Sequence, residues 1–243
     1  MAALDPVVIL CGGRGTRLRE RTESIPKALV EIGSRPILWH VISIYSHQGF
    51  SRFLLLTGYK GELIADWVEQ TAWPAEVRVD CLDTGPETPT GGRVKLAGER
   101  LEGGPFALTY ADGVADIDLG SLVEFHRQGD ALATMTVVRP ELQFGVAELE
   151  ANRVRAFHEK PQVDSWINGG FFCVEPGALD YLSEDSVLER EPLERLARDG
   201  QLRAYRHRGF WDCMDTYKDA VLLNDLWESG DPPWRVWAEE PAL

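Results

Sequence analysis

The sequence predicts an α/β fold: a mixed, mostly parallel sheet flanked by helices. Three observations carry this. Val7–Cys11, Phe53–Thr57 and Pro105–Ala111 are apolar runs without alternation, as expected of strands covered on both faces. The segments between them have apolar residues at helical spacing, and βαβα alternation implies parallel strands with crossover helices. The first run breaks directly into glycines, and ligands in such sheets gather outside the carboxyl ends of the strands.

The first strand leads into Val7–Leu29, VVILCGGRGTRLRERTESIPKAL. Gly12, Gly13 and Gly15 let backbone amides approach an anion closely, which suits a phosphate cradle. Residues 11–27 carry Arg14, Arg17, Arg19, Arg21 and Lys27 against Glu20 and Glu23, five positive charges to two negative, in a chain of net charge −14. A basic island in an acidic protein points to a polyanionic ligand. Neither familiar glycine motif fits. A dinucleotide fingerprint would need glycine at Leu18, and a P-loop starting at Gly12 would need Gly-Lys at Arg17-Leu18. A bare strand-to-helix turn with solvated arginines stays open at this point.

Pro36 opens a helix through ILWHVISIYSHQ, with Gly49 as its stop, and Glu62–Gln70 is a second amphipathic helix. Val77–Leu82 is a strand that runs into the polar loop DTGPETPTGGRVK, ahead of a helix near Val94–Arg100. In that loop Thr84, Thr90, Gly91 and Gly92 offer hydroxyl and amide contacts to a base. Pro105–Ala111 delivers Asp112 at its carboxyl end, where a carboxylate facing a phosphate cradle is placed to hold Mg²⁺. Asp116-Ile117-Asp118 fits a metal-binding D-x-D pattern, against which stands the simpler reading of Asp118 as cap of the helix Leu119–Gln128.

Beyond that helix, Leu132–Val138, Val146–Glu150, Val154–Glu159 and Trp166–Val174 are shorter, partly alternating strands, with a turn at Asn152. They predict a mixed-sheet extension forming the far side of a cleft. Phe144-Gly145, Glu159-Lys160-Pro161 and Ile167-Asn168-Gly169-Gly170 lie at their ends, where Lys160 offers a charge and Glu159 and Asn168 offer hydrogen bonds. Glu191–Asp199 reads as a helix, Leu202–Arg208 as an edge strand and Tyr217–Trp227 as a closing helix. Asp215 is either the cap of that last helix or a second metal carboxylate. The tail ESGDPPWRVWAEEPAL is expected to pack on the body or on a neighbour.

At 243 residues the chain is expected to form one domain, with a nucleotide-binding half of about 1–130, a second half of about 131–228 and a short tail. No apolar run reaches a membrane span, and Met1–Asp5 is too short and uncharged for a signal peptide, so the cytoplasm is expected. The acidic balance argues against a general nucleic-acid surface. Cys11, Cys81, Cys173 and Cys213 are scattered and read as reduced thiols, and His40 and His47 read as packing residues.

Taken together, LCGGRGTRL, PKALVEIGSRPILWH, LLTGYKGELIADW, LDTGPETPTGGRVK, TYADGVADID, HEKP, WINGGFFCVEP, EREPLERLARDGQLRAYRHRGFW and MDT resemble the glucose-1-phosphate cytidylyltransferases of the sugar-nucleotide pyrophosphorylase family, from about Val7 to Trp227. The resemblance implies a Rossmann-like nucleotide-diphospho-sugar transferase fold. It also implies Mg²⁺-dependent joining of CTP and glucose 1-phosphate, and a homo-oligomer. Carried across residue by residue, Arg17 and Lys27 would grip nucleotide phosphates, with Leu10, Gly12, Gly13, Gly15, Thr16 and Tyr110 around the nucleotide. Asp112 and Asp215 would hold the metal, Lys160 the sugar phosphate, and Gly145, Glu159, Asn168 and Gly169 the hexose. Two departures stand out: Ala111 where the family usually has glycine, and Ile25 where a second basic residue often precedes the proline. The same reaction with another base or phosphorylated substrate, a D-x-D glycosyltransferase and a nucleotide-sensing module are the alternatives the sequence leaves open.

Overall fold

The computed structural model describes residues 4–15, 18 and 24–237. Arg17 and Thr16 therefore lie outside the described residues. The architecture is one seven-stranded sheet between two layers of helices, and the strands that build it follow in chain order. β1 (Val7–Leu10), β4 (Arg52–Thr57), β5 (Arg78–Asp83) and β6 (Phe106–Tyr110) run parallel. β8 (Ala133–Val138), β11 (Ile167–Val174) and β12 (Leu202–Arg206) extend the sheet in the order β12-β8-β11-β6-β1-β4-β5. Only β11 runs antiparallel to its neighbours, so β8 and β12 end on the same edge as β1 and β6.

Both faces of β1 are apolar because both are covered. Val7 and Ile9 join one core cluster while Val8 and Leu10 join the other, as strand alternation dictates. The first cluster receives helices α1 (Ile37–Ser46), α2 (Gly61–Gln70) and α4 (Leu119–Arg127); the second receives α3 (Thr90–Ala97) and α5 (Glu191–Arg198). α6 (Tyr217–Glu228) closes the first face through Ala220 and Leu223. The tail lies on the body, with Trp234 fully buried and Trp237 stacked on His47. Among the described residues no helix is long and apolar enough to cross a membrane.

Short pieces complete the frame. β2 (Glu31–Ile32) pairs with β3 (Arg35–Pro36), and β7 (Gly113–Ala115) pairs antiparallel with β13 (Trp211–Cys213). Three expectations change. α3 begins at Thr90, so Thr90, Gly91 and Gly92 form a first helical turn instead of a loop. β9 (Val146–Glu150) and β10 (Arg153–His158) pair only with each other, as a hairpin outside the main sheet. The cap of α6 is Thr216, one residue later than Asp215: the Thr216 hydroxyl accepts from the Asp219 amide and the Asp219 carboxylate accepts from the Thr216 amide.

Candidate active site

The β7/β13 ribbon decides where the two acidic residues meet. Its register sets Cys213 opposite Gly113, and the Met214 amide donates to the Asp112 carbonyl at 2.9 Å. Asp112, which follows β6, and Asp215, which follows β13, are thereby brought side by side from positions 103 residues apart in sequence (215 − 112). Because Thr216 and Asp219 do the capping, the Asp215 carboxylate is left to face the cleft.

Between them stands Lys27. Pro26, with its extended backbone, leads into the 3-10 turn Lys27–Leu29, and Ala28 anchors that turn in the core. The Lys27 ammonium donates to Asp112 Oδ2 at 2.5 Å and to Asp215 Oδ1 at 2.6 Å, with 15% of its side chain exposed. Burial works to lower its pKa, but the charges of Asp112 and Asp215 and their hydrogen bonds outweigh it and hold the ammonium above the ordinary lysine value.

These groups face a cavity of about 600 Å³, within the range for a small-molecule site. Leu10, Gly12, Gly13 and Gly15 form one wall, Lys27 and Asp112 the floor, and Thr90, Tyr110 and Ala111 another side. Gly15 has φ of +59°, a conformation that suits glycine.

Arg93, which sequence reading passed over, is the buried scaffold of this cavity. Its Nη1 donates to the Thr57 carbonyl, the Thr84 hydroxyl and the Gly85 carbonyl at 2.8, 2.5 and 2.8 Å, and its Nη2 to the Gly12 carbonyl at 3.2 Å. A side chain on Gly12 would collide with the guanidinium, which is why that position needs glycine. Burial lowers the Arg93 pKa, although guanidinium stays charged at any physiological pH. The sequence carried no signal for it, since Arg93 stands in the polar, glycine-rich segment DTGPETPTGGRVK.

Glu189 is the second missed residue. Tyr110 donates to its Oε1 and Thr90 to its Oε2, each at 2.6 Å, and Asn168 donates to the Tyr110 hydroxyl at 3.3 Å. Burial first, and the Glu189 carboxylate second, push the Tyr110 pKa up, so it remains a donor. This chain of bonds links the start of α3 to the ends of β6 and β11.

The other predicted residues sort differently. The Thr84 hydroxyl is buried and donates to the Thr57 carbonyl at 2.7 Å. Gly91 and Gly92 pack against the backbone at Ser186 and Glu184, where a side chain would overlap it. Neither they nor Thr84 line the cavity. Gly145, Glu159, Lys160, Asn168 and Gly169 do not line it either; Gly169 instead gives its carbonyl to Trp211 Nε1 at 2.7 Å. Asp118 caps α4 by accepting from the Ser121 amide at 2.8 Å, and Asp116 pairs with His207 at 2.9 Å, so the D-x-D carboxylates have structural partners. The four cysteines are unpaired, and burial pushes Cys81 up to about 11 and Cys173 to about 12, which keeps both thiols protonated. Among the described residues no group of three or more His, Cys, Asp or Glu side chains is gathered to hold a metal unaided.

The Lys27–Asp112–Asp215 cluster and the glycine loop line one cavity, and comparison with known proteins says to which family such a chain belongs. The nucleotidyl transferase family model matches residues 6–216. The chain belongs to the nucleotidyl transferase family. It is 41% identical to the probable glucose-1-phosphate cytidylyltransferase of Bacillus subtilis (strain 168), over 95% of this chain and 99% of that relative. It is also 41% identical to the glucose-1-phosphate cytidylyltransferase of Salmonella typhi, over 95% and 98% of the two chains. The UDP-glucose pyrophosphorylase structure from Acinetobacter baumanii superposes with a TM-score of 0.73 at 17% identity, covering 96% of each chain, and so shares the fold. As a nucleotidyltransferase, the chain places its glycine loop and its paired carboxylates on one edge of that shared sheet.

Proposed function

We propose that the protein joins CTP and α-D-glucose 1-phosphate to give CDP-glucose and pyrophosphate. The observation that carries this reading is the Lys27 clamp between Asp112 and Asp215 in a cavity that the glycine loop also lines. The 41% identity to cytidylyltransferases over almost the whole chain supports the choice of nucleotide and sugar.

The chemistry asks little of acid–base catalysis. A phosphate monoester has a second pKa of about 6, so its oxygen is already ionised near neutral pH and attacks the α-phosphorus without a general base. What the reaction needs is in-line positioning and neutralisation of two mutually repelling anions. Lys27 supplies an ammonium that its two partners hold in place and keep charged until phosphate arrives. Arg17, beside the glycine loop in sequence, adds a second cation to the same phosphates. Gly12, Gly13 and Gly15 offer amides at the end of β1, while Thr90 and Tyr110, fixed by Glu189, shape the side of the cavity. Asp112 and Asp215 are a hard oxygen pair, and with phosphate oxygens and water they suit Mg²⁺. That ion, when bound, would neutralise charge on the phosphates and the departing pyrophosphate. On the other side, Lys160 receives the sugar phosphate and Gly145, Glu159, Asn168 and Gly169 contact the hexose. A homo-oligomer working in the cytoplasm, where nucleoside triphosphates are made and thiols stay reduced, completes the reading.

The test is pyrophosphate release with Mg²⁺ and glucose 1-phosphate, comparing CTP with UTP, dTTP, GTP and ATP. Release with CTP that depends on the sugar phosphate is the expected result. Release with another nucleotide would keep the reaction and move the base specificity to Ala111 and the Thr84–Arg93 segment. No release with any of them would overturn the assignment.

A further inference from the structure

Among the described residues, three cations line the Lys27 cavity, and their circumstances differ. Lys27 is clamped between Asp112 and Asp215, and Arg93 is buried among the carbonyls it holds. Arg14, between Gly13 and Gly15 on the glycine loop, has 55% of its side chain exposed. It is therefore the guanidinium that can turn towards a ligand without breaking the fold. Its Cζ lies 5.4 Å from the centre of the Tyr59 ring, and Lys60 Nζ lies 5.3 Å from the same centre, both close enough for cation–π attraction. That aromatic shelf is fixed to the loop, because the Tyr59 amide donates to the Gly12 carbonyl at 3.3 Å.

Arg14 Nη2 donates to Glu87 Oε1 and forms an ion pair with it. Glu87 lies on the turn after β5, where the Thr88 hydroxyl donates back to the Thr84 carbonyl, and it lines the same cavity with Pro86, Thr88 and Pro89. Two joints thus connect this turn to the glycine loop. The inner one is Arg93, which holds the Gly12 and Gly85 carbonyls; the outer one is the Arg14–Glu87 pair. They differ in strength. Breaking the inner joint leaves buried oxygens without a donor, whereas the Glu87 side chain is 72% exposed and water screens the pair. A carboxylate on the wall of a cavity that receives a polyphosphate opposes that ligand by its charge. Carboxylate and phosphate also offer a guanidinium the same kind of oxygens, so they compete for it.

We propose that Glu87 is a built-in competitor of the nucleotide: it holds Arg14, a further phosphate-binding residue of this cavity, until a polyphosphate takes the guanidinium from it. The proposal rests on the reading that the cavity receives a nucleoside triphosphate. A polyphosphate beside Gly12, Gly13 and Gly15 carries more charge than one carboxylate and draws Arg14 off Glu87. The turn after β5 then loses its outer joint to the glycine loop and keeps the inner one through Arg93. Glu87 acts on the phosphates and not on the base, so it lowers the affinity for every nucleotide alike.

The experiment uses the full chain without metal and reads binding by calorimetry, with CTP, inorganic tripolyphosphate and cytidine as probes. Glu87→Gln should tighten CTP and tripolyphosphate about threefold, the scale of one exposed ion pair. Arg14→Gln should weaken both about tenfold, the loss of a charge-assisted bond. Cytidine carries no phosphate, so its affinity should stay as it was in both variants. The proposal is overturned if Arg14→Gln binds the two anions as tightly as the parent does, or if Glu87→Gln does not tighten them. It is equally overturned if the cytidine affinity changes in step, which would report a displaced loop instead of a lost phosphate contact. A parent that binds neither CTP nor tripolyphosphate would remove the nucleotide reading and the proposal with it. A parent that binds both, with variants that bind as it does, would remove the proposal alone.

Discussion

Lys27 is 15% exposed and bonded to two carboxylates, whereas Lys160 sits exposed at a turn with φ of +46°. Both lysines adjoin a proline, so local sequence does not separate them; the supporting elements do. Lys27 hangs from a turn packed into the core and meets partners delivered by the ends of β6 and β13. Lys160 follows β10, one arm of a hairpin that touches the main sheet with neither edge. Phe144, Leu149, Val154 and Phe157 around that hairpin are all more than half exposed. The lesson is that the Lys27 cluster is ordered by the fold before any ligand arrives, while the surroundings of Lys160 are left open. Electrostatic catalysis gains most from groups whose orientation is already fixed.

The largest effects should therefore come from the built side. Lys27→Ala or Asp112→Ala should lower turnover at least about 100-fold in a pyrophosphate-release assay, by analogy with removal of other transition-state charge stabilisers. Near-normal turnover in both variants would break the comparison outright. Arg93→Ala should destabilise the fold by about 3 kcal/mol in urea unfolding, because it leaves several buried oxygens without a donor.

A pH experiment sharpens the contrast from the core outward. His40 is buried and neutral: its Nε2 donates to the Ile32 carbonyl at 3.0 Å and its Nδ1 accepts from Trp234 at 3.4 Å. Burial lowers its pKa from 6.5 to about 4. The unfolded chain thus takes up the proton first, so this contribution is fully present above about pH 6.5 and lost as the pH falls towards 4. The shift corresponds to about 3 kcal/mol, and wild type should lose about that much more stability across this window than His40→Gln does. On the open side, Lys160→Ala should raise the KM for the sugar phosphate about tenfold with little change in kcat, the pattern of a lost binding charge. The smallest effect is expected at the α6 cap, where Thr216→Ala should cost about 1 kcal/mol.

Much of the fold was legible because its signals are local. Alternating burial is irrelevant to a strand covered on both faces, so Val7–Leu10 declared itself by composition, and Asp118 by its place before an apolar helix. Lys27, Asp112 and Asp215 were legible by resemblance. Their meeting was not, because it depends on the three-residue ribbon pairing Gly113–Ala115 with Trp211–Cys213, which is too short to leave a pattern. Arg93 escaped for the opposite reason: its position in a polar, glycine-rich segment looked solvated, and only the tertiary fold puts its guanidinium under the loop. The hairpin strands were recognised as strands, yet their separation from the sheet was invisible, since pairing partners are not written in a strand's own sequence.

Arg93 links three stretches of chain that are otherwise strangers: the glycine loop after β1, the end of β4 and the turn after β5. A single rigid plane with donors on several sides acts as a rivet, and segments joined by a rivet share their motions. A displacement of the Thr84–Gly85 turn would shift the carbonyl of Gly12 with it, so the turn after β5 and the glycine loop after β1 move as one. Amide protons around Gly12, Thr57 and Gly85 should accordingly open together, at a single rate, in hydrogen exchange.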